Sequence, residues 1–93
     1  MNKYKIEYTT RLKKSYKKMI KQGYNQEDFL KVIGMLSKDE TLPEKYKKHL
    51  LEPKKVGLRG CHIRPDWLLT YKKHKNILVL VLVDTGSHSN LFK

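Results

Sequence analysis

The sequence predicts an α+β fold in which two N-terminal helices pack on one face of a small, mainly antiparallel sheet of four to five strands. Three observations predict it. A short alternating segment precedes two amphipathic segments, the later apolar runs have the length of strands, and short polar turns separate those runs. A chain of 93 residues suffices for one core, so residues 1–93 are predicted to form a single domain.

Two different periodicities indicate the first strand and the first helix. Tyr4, Ile6 and Tyr8 alternate with charged residues, as in a strand with one buried face. From Thr10, the predicted N-cap, apolar residues recur at helical spacing, and Gly23 is predicted to end the helix. The apolar stripe of this helix consists of Leu12, Tyr16, Met19 and Ile20.

A second helix and a long loop follow. Asn25 is the predicted N-cap, and Glu27 and Asp28 fall in the first turn, where the helix dipole favours negative charge. The apolar stripe consists of Phe29, Val32, Ile33 and Leu36. Residues 41–57 contain two prolines and little periodicity, which predicts a loop with one helical turn that also carries His49.

The next two strands are predicted on either side of a proline. Residues 59–64 alternate as in a strand, with Cys61 and Ile63 on one face. Pro65 is predicted to interrupt this strand or to mark a bulge, because proline lacks the N–H that a strand ladder uses. A strand resumes at residues 67–71.

The last predicted elements depend on an unbroken apolar run. Residues 72–76 are polar and predict a turn, and residues 77–83 have the composition of a central strand covered on both faces. Residues 85–87 are predicted to form the last turn, so residues 88–92 would end the chain beside that central strand.

The charge of the chain indicates a polyanionic partner. Lys and Arg total 21 against 9 Asp and Glu, a formal net charge of +12. Such a surface concentrates phosphates and binds them with an affinity that falls as salt rises. No apolar segment approaches the length of a membrane span, and the N-terminal residues lack the apolar core of a signal peptide. We therefore expect a cytoplasmic protein with no membrane partner.

Three histidines and a carboxylate suit the cleavage of RNA. The predicted hairpins bring His49, His62 and His88 together, and Asp66 follows His62 closely in the sequence. Cleavage by the 2′-hydroxyl requires one group to take its proton and another to protonate the leaving 5′-oxygen. Histidine titrates near neutrality and serves in either role. The charge that grows on the phosphate also needs a cation, such as a nearby arginine or lysine.

Several of these residues also have a structural interpretation. His74 lies in a predicted exposed turn and is given no function. Asp66 follows Pro65 and is a residue type that stabilises turns through its side chain. Trp67 and Phe92 are of the kind that more often pack than bind a ligand.

A metal centre is not predicted. Cys61 is the only cysteine, so an internal disulfide and a cysteine-based zinc cluster are excluded, and its apolar neighbours predict a packed thiol. A zinc site of His49, His62, His88 and Asp66 would have suitable ligand types, but their spacing matches no regular motif. No metal ligand and no cofactor are therefore assigned.

Two strings of residues connect the chain to a known family. Residues 62–71, HIRPDWLLTY, and residues 85–92, TGSHSNLF, resemble the paired signature of YafQ-type toxins in the RelE/ParE superfamily. The Leu-Pro and Tyr-Lys-x-His strings within residues 42–49 extend the resemblance over nearly the whole chain. The resemblance implies a RelE-like fold.

The resemblance also implies an activity. It predicts a ribosome-dependent endoribonuclease that cuts mRNA with the 2′-hydroxyl as nucleophile, leaves a 2′,3′-cyclic phosphate and uses no metal. In that reaction His88 is the implied general acid, His49 or Asp66 is the general base, and His62 orients or stabilises the phosphate.

The remaining site residues, Trp67, Phe92, Arg64 and Arg59, are expected to bind the substrate. Trp67 is implied to orient the acid and base groups or to stack on a nucleobase, and Phe92 to pack against the reacting nucleotide. Similar sequences usually carry an arginine directly before the Thr-Gly-x-His string, whereas this chain has Asp84. Either Arg64 or Arg59 supplies the missing cation, or the acidic residue makes a slow or altered nuclease.

Two other functions remain open. A toxin of the ParE branch shares the fold and acts by binding DNA gyrase, and a basic module would bind RNA without catalysis. Several groups that titrate near neutral pH favour the nuclease, because a binding surface does not need them.

The family implies several partners. These are the ribosome, mRNA and an acidic DinJ-like or RelB-like antitoxin whose partly disordered segment folds over the basic surface. The toxin–antitoxin complex is expected to bind its own promoter DNA through the antitoxin.

Overall fold

The computed structural model describes residues 3–40, 42–46, 49–50 and 58–87, with residues 49–50 described by their backbone alone. The elements in chain order are β1 (Lys5–Tyr8), α1 (Thr10–Lys21), α2 (Gln26–Ser37), a 3₁₀ turn (Glu44–Tyr46), β2 (His49–Leu50), β3 (Leu58–Arg64), β4 (Trp67–His74) and β5 (Val79–Ser87).

The strands form one mixed sheet in the order β1-β5-β4-β3-β2. Strand β1 runs parallel to β5, and the other three pairs are antiparallel. The two helices link β1 to the rest of the sheet and pack their apolar stripes against it. The predicted α+β class, the helix pair and the mainly antiparallel sheet are confirmed.

The N-cap of helix α1 lies one residue before the predicted one. The side chain of Thr9, and not that of Thr10, accepts a hydrogen bond from the Leu12 amide at 2.9 Å. The Thr9 hydroxyl also donates to the Val83 carbonyl at 2.6 Å, so the start of the helix is tied to β5. This second hydrogen bond explains why Thr9, and not Thr10, is the cap of the helix. Gly23 follows the helix with a φ of +97°, as predicted for a glycine that ends a helix.

Helix α2 begins as its sequence predicts. Asn25 caps it by accepting a hydrogen bond from the Glu27 amide at 2.8 Å. At the other end, the carbonyl of Ser37 accepts from the amides of Lys3 and Tyr4 at 2.8 and 2.9 Å, which attaches α2 to the start of β1.

The hairpin between β4 and β5 lies later in the sequence than predicted. Strand β4 continues through residues 72–74, and the turn occupies residues 75–78. Ile77 and Leu78, assigned to the central strand, are therefore exposed in the turn. Lysines tolerate exposed strand positions as well as turns, because their long stems leave the charge in water. Polarity alone was a poor guide to the turn.

Strand β5 is an inner strand but is not fully covered on both faces. Leu80 and Leu82 are fully buried, whereas Val79, Val81 and Val83 are half-buried. Residues 85–87 are not a turn: they pair with residues 67–69 of β4. The predicted terminal segment, residues 88–92, lies outside the described residues.

The region between α2 and β4 departs from prediction in one respect. The single helical turn is present at Glu44–Tyr46, but the two-residue strand β2 pairs with β3 and was not predicted. Two residues are too few to show an alternating pattern. Pro65 lies in the turn that follows β3, which confirms the predicted interruption of the strand; the register shift of β3 on β4 lies before it, between His62 and Arg64.

The core lies between the helices and the sheet. It is built from the predicted helical stripes together with β3, β4 and β5, including Cys61, Trp67 and Tyr71. Cys61 is fully buried, as predicted for a packed thiol. Among the described residues, none of the helices is long and apolar enough to cross a membrane.

Candidate active site

One end of the sheet gathers several predicted site residues. Pro65 and Asp66 form the turn between β3 and β4, and Arg64 pairs with Trp67 across it. Trp67 also pairs with Ser87, the last described residue of β5. We call this region, residues 64–67 with Ser87, the turn end of the sheet.

His62 and His49 lie on neighbouring strands beside the turn end. His62 is half-buried and pairs with Leu68 of β4. His49 pairs with Gly60, two residues from His62, so the two histidine backbones are diagonal neighbours roughly 7–8 Å apart. The sheet therefore brings together the backbones of two predicted catalytic histidines.

Trp67 is held inside the core. It is 0% exposed, its ring stacks on Phe29 with centroids 5.9 Å apart, and it meets Tyr24 at 5.2 Å. Its indole N–H donates to the Thr85 hydroxyl at 2.8 Å, and that hydroxyl donates to the Leu68 carbonyl at 2.6 Å. Because the ring is fully buried, Trp67 is better suited to position its neighbours than to stack on a nucleobase.

Asp66 is exposed in the turn and is held by a tyrosine. The Tyr24 hydroxyl donates to its Oδ2 atom at 2.5 Å. This hydrogen bond, followed by partial burial and the carboxylate charge, raises the pKa of Tyr24 above its usual value. Tyr24 therefore stays protonated near neutral pH and orients the carboxylate.

Arg64 extends from the turn end towards α2. Its Nε atom lies 3.6 Å from the Asp28 carboxylate, beside a cavity of about 270 Å³ that Lys31 and Lys45 also line. The side chains of Arg64 and Asp28 are exposed enough for water to screen most of this attraction. Arg64 thus remains available to a phosphate near the turn.

Arg59 lies away from the turn end. It precedes Arg64 by five residues on β3, roughly 17 Å along the strand, and pairs with Tyr71. Burial raises the pKa of Tyr71 to about 12, and the charge of Arg59 partly opposes this rise. The sheet does not bring Arg59 and Arg64 together.

Asp84 is paired with a residue that the sequence analysis did not single out. Its Oδ2 atom lies 3.0 Å from Nε of Arg11 on α1, and its Oδ1 atom accepts a hydrogen bond from the Thr85 amide at 2.8 Å. Among the described ion pairs, neither Arg64 nor Arg59 contacts Asp84.

The described residues contain no group of three His, Cys, Asp or Glu side chains placed to hold a metal ion. His88, Phe92 and the side chain of His49 lie outside the described part of the chain. The roles assigned to those three residues stay predictions.

Three site neighbours were missed: Arg11, Tyr24 and Thr85. Thr85 belongs to the motif string but was assigned to a turn, so its buried hydroxyl was overlooked. Tyr24 follows the glycine that ends α1, and nothing in its local pattern pointed to Asp66. Asp84 follows an apolar run, and a buried acidic residue requires a partner, but no feature of the sequence identifies that partner as Arg11.

Comparison with known proteins identifies the family. The family model described as "Bacterial toxin of type II toxin-antitoxin system, YafQ" matches residues 4–93. The mRNA interferase toxin YafQ of Escherichia coli strain B / BL21-DE3 is 34% identical over 89 residues, covering 94% of each chain.

Solved structures agree with this match. In the E. coli DinJ–YafQ complex the similar chain has a TM-score of 0.87 and 31% identity, over 97% of this chain and 99% of that one. A metal-bound toxin from Helicobacter pylori has a TM-score of 0.89 and 38% identity, over 96% and 99%.

The helix pair, the mixed sheet and the turn end define a toxin of the RelE-like class. Within that class, the chain belongs to the YafQ family of toxins from bacterial type II toxin–antitoxin systems.

Proposed function

We propose that this toxin is an endoribonuclease that cleaves translated mRNA on the ribosome and so inhibits translation in the cytoplasm. One observation carries the proposal: His62, Arg64 and Asp66 lie at or beside the end of the sheet where β5 ends at Ser87, the residue that precedes His88 in the sequence. The net charge of +12 suits an RNA substrate, and the curated relatives are named mRNA interferases.

The proposed reaction needs only proton transfer and charge stabilisation. His49 or Asp66 takes the proton of the 2′-hydroxyl as its oxygen forms a bond to phosphorus. The bond from phosphorus to the 5′-oxygen breaks, and His88 protonates that leaving oxygen. His62 stabilises the charged phosphate, and the products are a 2′,3′-cyclic phosphate and a free 5′-hydroxyl.

The two candidate bases differ in their surroundings. Asp66 has one carboxylate oxygen engaged by Tyr24 and, among the described residues, no hydrogen-bond partner for the other. That second oxygen would be the one to accept the substrate proton. For His49, the described feature is its backbone pairing beside His62.

Substrate binding in this proposal is shared among four side chains. Arg64 contacts phosphate near the turn end, and Arg59 contacts the RNA backbone further along β3. Phe92 packs against the reacting nucleotide. Trp67 acts indirectly, because its buried ring holds Tyr24, which in turn holds Asp66.

No metal takes part in the proposed reaction. The acid, the base and the cations are all protein side chains. Because a relative from H. pylori has been solved with bound metal, the proposal requires a direct test with a transition-metal chelator that spares the Mg²⁺ of the ribosome. Unchanged cleavage supports the metal-free reaction, and lost cleavage that added zinc restores would overturn it.

We further propose an acidic antitoxin as the cognate partner, covering an apolar groove between the helices and β1. The groove has a volume of about 410 Å³ and is lined by Tyr8, Leu12, Lys13, Tyr16, Lys17, Gln26, Phe29 and Leu30. Leu30 is 54% exposed and Tyr8 48%, so the groove presents two large apolar side chains to solvent.

The lysines at the rim of this helix groove favour an acidic amphipathic segment, whose apolar side chains would cover Leu30 and Tyr8. The solved E. coli relative is a DinJ–YafQ complex, which supports an antitoxin as the occupant. In this proposal the complex binds its own promoter DNA through the antitoxin.

The nuclease proposal is tested by mapping new 5′ ends in cells that express the toxin without antitoxin. Translated and untranslated versions of one mRNA are compared for wild type, His88→Ala and the control His74→Ala. His74 is an exposed histidine with no assigned function. Cuts confined to translated message, lost in His88→Ala and kept in His74→Ala, support the proposal. Growth arrest without cuts in either message would overturn it and favour binding to gyrase or to RNA.

A further inference from the structure

A polar cavity lies between α1 and the end of β5. Its volume is about 340 Å³. Arg11, Ser15, Lys18 and Gln22 recur at intervals of three and four residues, so they share one face of α1 and form one wall of the cavity. Residues 84–86 of β5 form the opposite wall. Two cations, a hydroxyl and an amide therefore face the strand that leads to the proposed general acid.

Within this cavity, Asp84 holds Arg11 in place. The Asp84 side chain is 10% exposed, and its two oxygens are engaged by Arg11 Nε and the Thr85 amide. The Arg11 side chain is 79% exposed. A largely buried carboxylate, held through both of its oxygens, thus fixes the Nε edge of an exposed guanidinium. The Nη groups have no protein partner among the described residues and can bind an oxyanion.

The Asp84 end of the ion pair lies close in the chain to the proposed general acid, His88. Gly86, in the cavity wall, precedes His88 by two residues, a separation that spans at most roughly 7 Å of chain. Thr85, whose amide fixes Asp84, also accepts the hydrogen bond from Trp67 at the turn end. One short stretch of β5 therefore joins the ion pair of Arg11 and Asp84 to the turn end.

We propose that Arg11, oriented by Asp84, binds the RNA phosphate at this site, with Lys18 as a second cation. The inference rests on the proposed nuclease function. Arg11 reaches the site from α1, across the ion pair with Asp84. Asp84 is then a positioning residue: its two oxygens are engaged by Arg11 Nε and the Thr85 amide, and the exposed Nη groups of Arg11 are left to donate to the phosphate.

Two measurements test the role of Arg11. One is the single-turnover rate of mRNA cleavage on purified translating ribosomes. The other is the salt dependence of binding to a single-stranded RNA oligonucleotide. Arg11→Ala is expected to slow cleavage by roughly 10²-fold, the effect of removing one donor to a developing anion. It is also expected to reduce the slope of log K against log salt by about 0.7, the contribution of one phosphate contact on a single strand.

Matched variants separate this role from net charge and from stability. Lys14→Ala removes one charge from an exposed position of α1 outside the cavity and is expected to cleave at the wild-type rate. Arg11→Gln keeps a long polar side chain and serves if Arg11→Ala unfolds. Thermal unfolding of each variant measures the folded fraction, and all rates are corrected for it.

The role of Asp84 is tested by removing its charge and by placing the positive charge of Arg11 on β5 instead. Asp84→Asn leaves Arg11 present but less well oriented, so we expect a smaller loss in rate than for Arg11→Ala. The double variant Arg11→Ala with Asp84→Arg is expected to recover most of the lost rate. A purely structural ion pair would not give this recovery, because the double variant also lacks the pair.

Wild-type cleavage and salt slope in both Arg11→Ala and Arg11→Gln would overturn the inference while leaving the nuclease proposal intact. If wild type itself does not cleave, the nuclease proposal fails. The salt slope then still decides whether Arg11 contacts phosphate.

Discussion

The indole N–H of Trp67 and the hydroxyl of Thr85, 2.8 Å apart, join β4 to β5 inside the core at the turn end. The same hydroxyl donates to the Leu68 carbonyl, so one threonine both accepts and donates. The hydrogen bond connects the two motif strings of the sequence, one of which contains Trp67 and the other Thr85.

Thr85→Val is expected to destabilise the protein by about 1–3 kcal/mol, because it leaves the buried Trp67 N–H without its acceptor and removes the hydrogen bond to the Leu68 carbonyl. Thr85→Ser keeps the hydroxyl and should lose less. Urea denaturation gives the free energy of unfolding of each. A Thr85→Val variant as stable as wild type would contradict this role of the hydroxyl.

Tyr24→Phe removes the hydrogen bond to Asp66 but keeps the ring contact with Trp67. If Asp66 takes part in proton transfer, cleavage should fall by roughly tenfold to a hundredfold, because small displacements of a catalytic group are costly. Thermal unfolding should change little. Tyr16→Phe, which removes a hydroxyl from another aromatic contact, is the control. Cleavage rates that match in the two variants would argue against this role of Tyr24.

Tyr71 gives a prediction for alkaline pH. Its pKa in the folded protein is raised to about 12, chiefly by burial, against an ordinary value of 10.0. The unfolded chain therefore loses this proton first, so the stability linked to the protonated phenol is complete below pH 10.0 and declines as pH rises to about 12. Tyr71→Phe has no phenol to titrate. Its free energy of unfolding should vary less than that of wild type over this interval, and parallel curves would contradict the assignment.

Leu30→Lys tests the helix groove as the antitoxin surface. The added lysine preserves attraction for an acidic partner, so any loss of affinity reports the apolar contact. Burial of a leucine is worth about 1.5–3 kcal/mol, which predicts a loss of roughly 10-fold to 150-fold in affinity. Calorimetry with the purified antitoxin gives the Kd, and the ribosome assay should show unchanged cleavage. Wild-type affinity would exclude this groove.

The helices could be predicted because their signals are local. The cap at Asn25, the glycine after α1 and the apolar stripes all act within a few residues of one another. The strand ends were less predictable, because they depend on register. Residues 72–74 are polar yet belong to β4, since pairing with β5 continues past the change in composition.

The candidate site was predictable only in part. The motif strings indicated His62, Asp66 and Trp67, and the hairpin between β3 and β4 brings these residues to one end of the sheet. The ion pair of Arg11 with Asp84 joins residues 73 positions apart. It depends on the rotation of α1 relative to β5, which no local sequence pattern specifies.

The proposed function of this toxin is the cleavage of mRNA on the ribosome through its own side chains. The most direct measurement is the chemical structure of the new RNA ends made by purified wild type and His88→Ala on translating ribosomes. We predict 2′,3′-cyclic phosphates and 5′-hydroxyls for wild type and their loss in the variant. New ends bearing 5′-phosphates, or cleavage by His88→Ala at the wild-type rate, would overturn the proposed reaction.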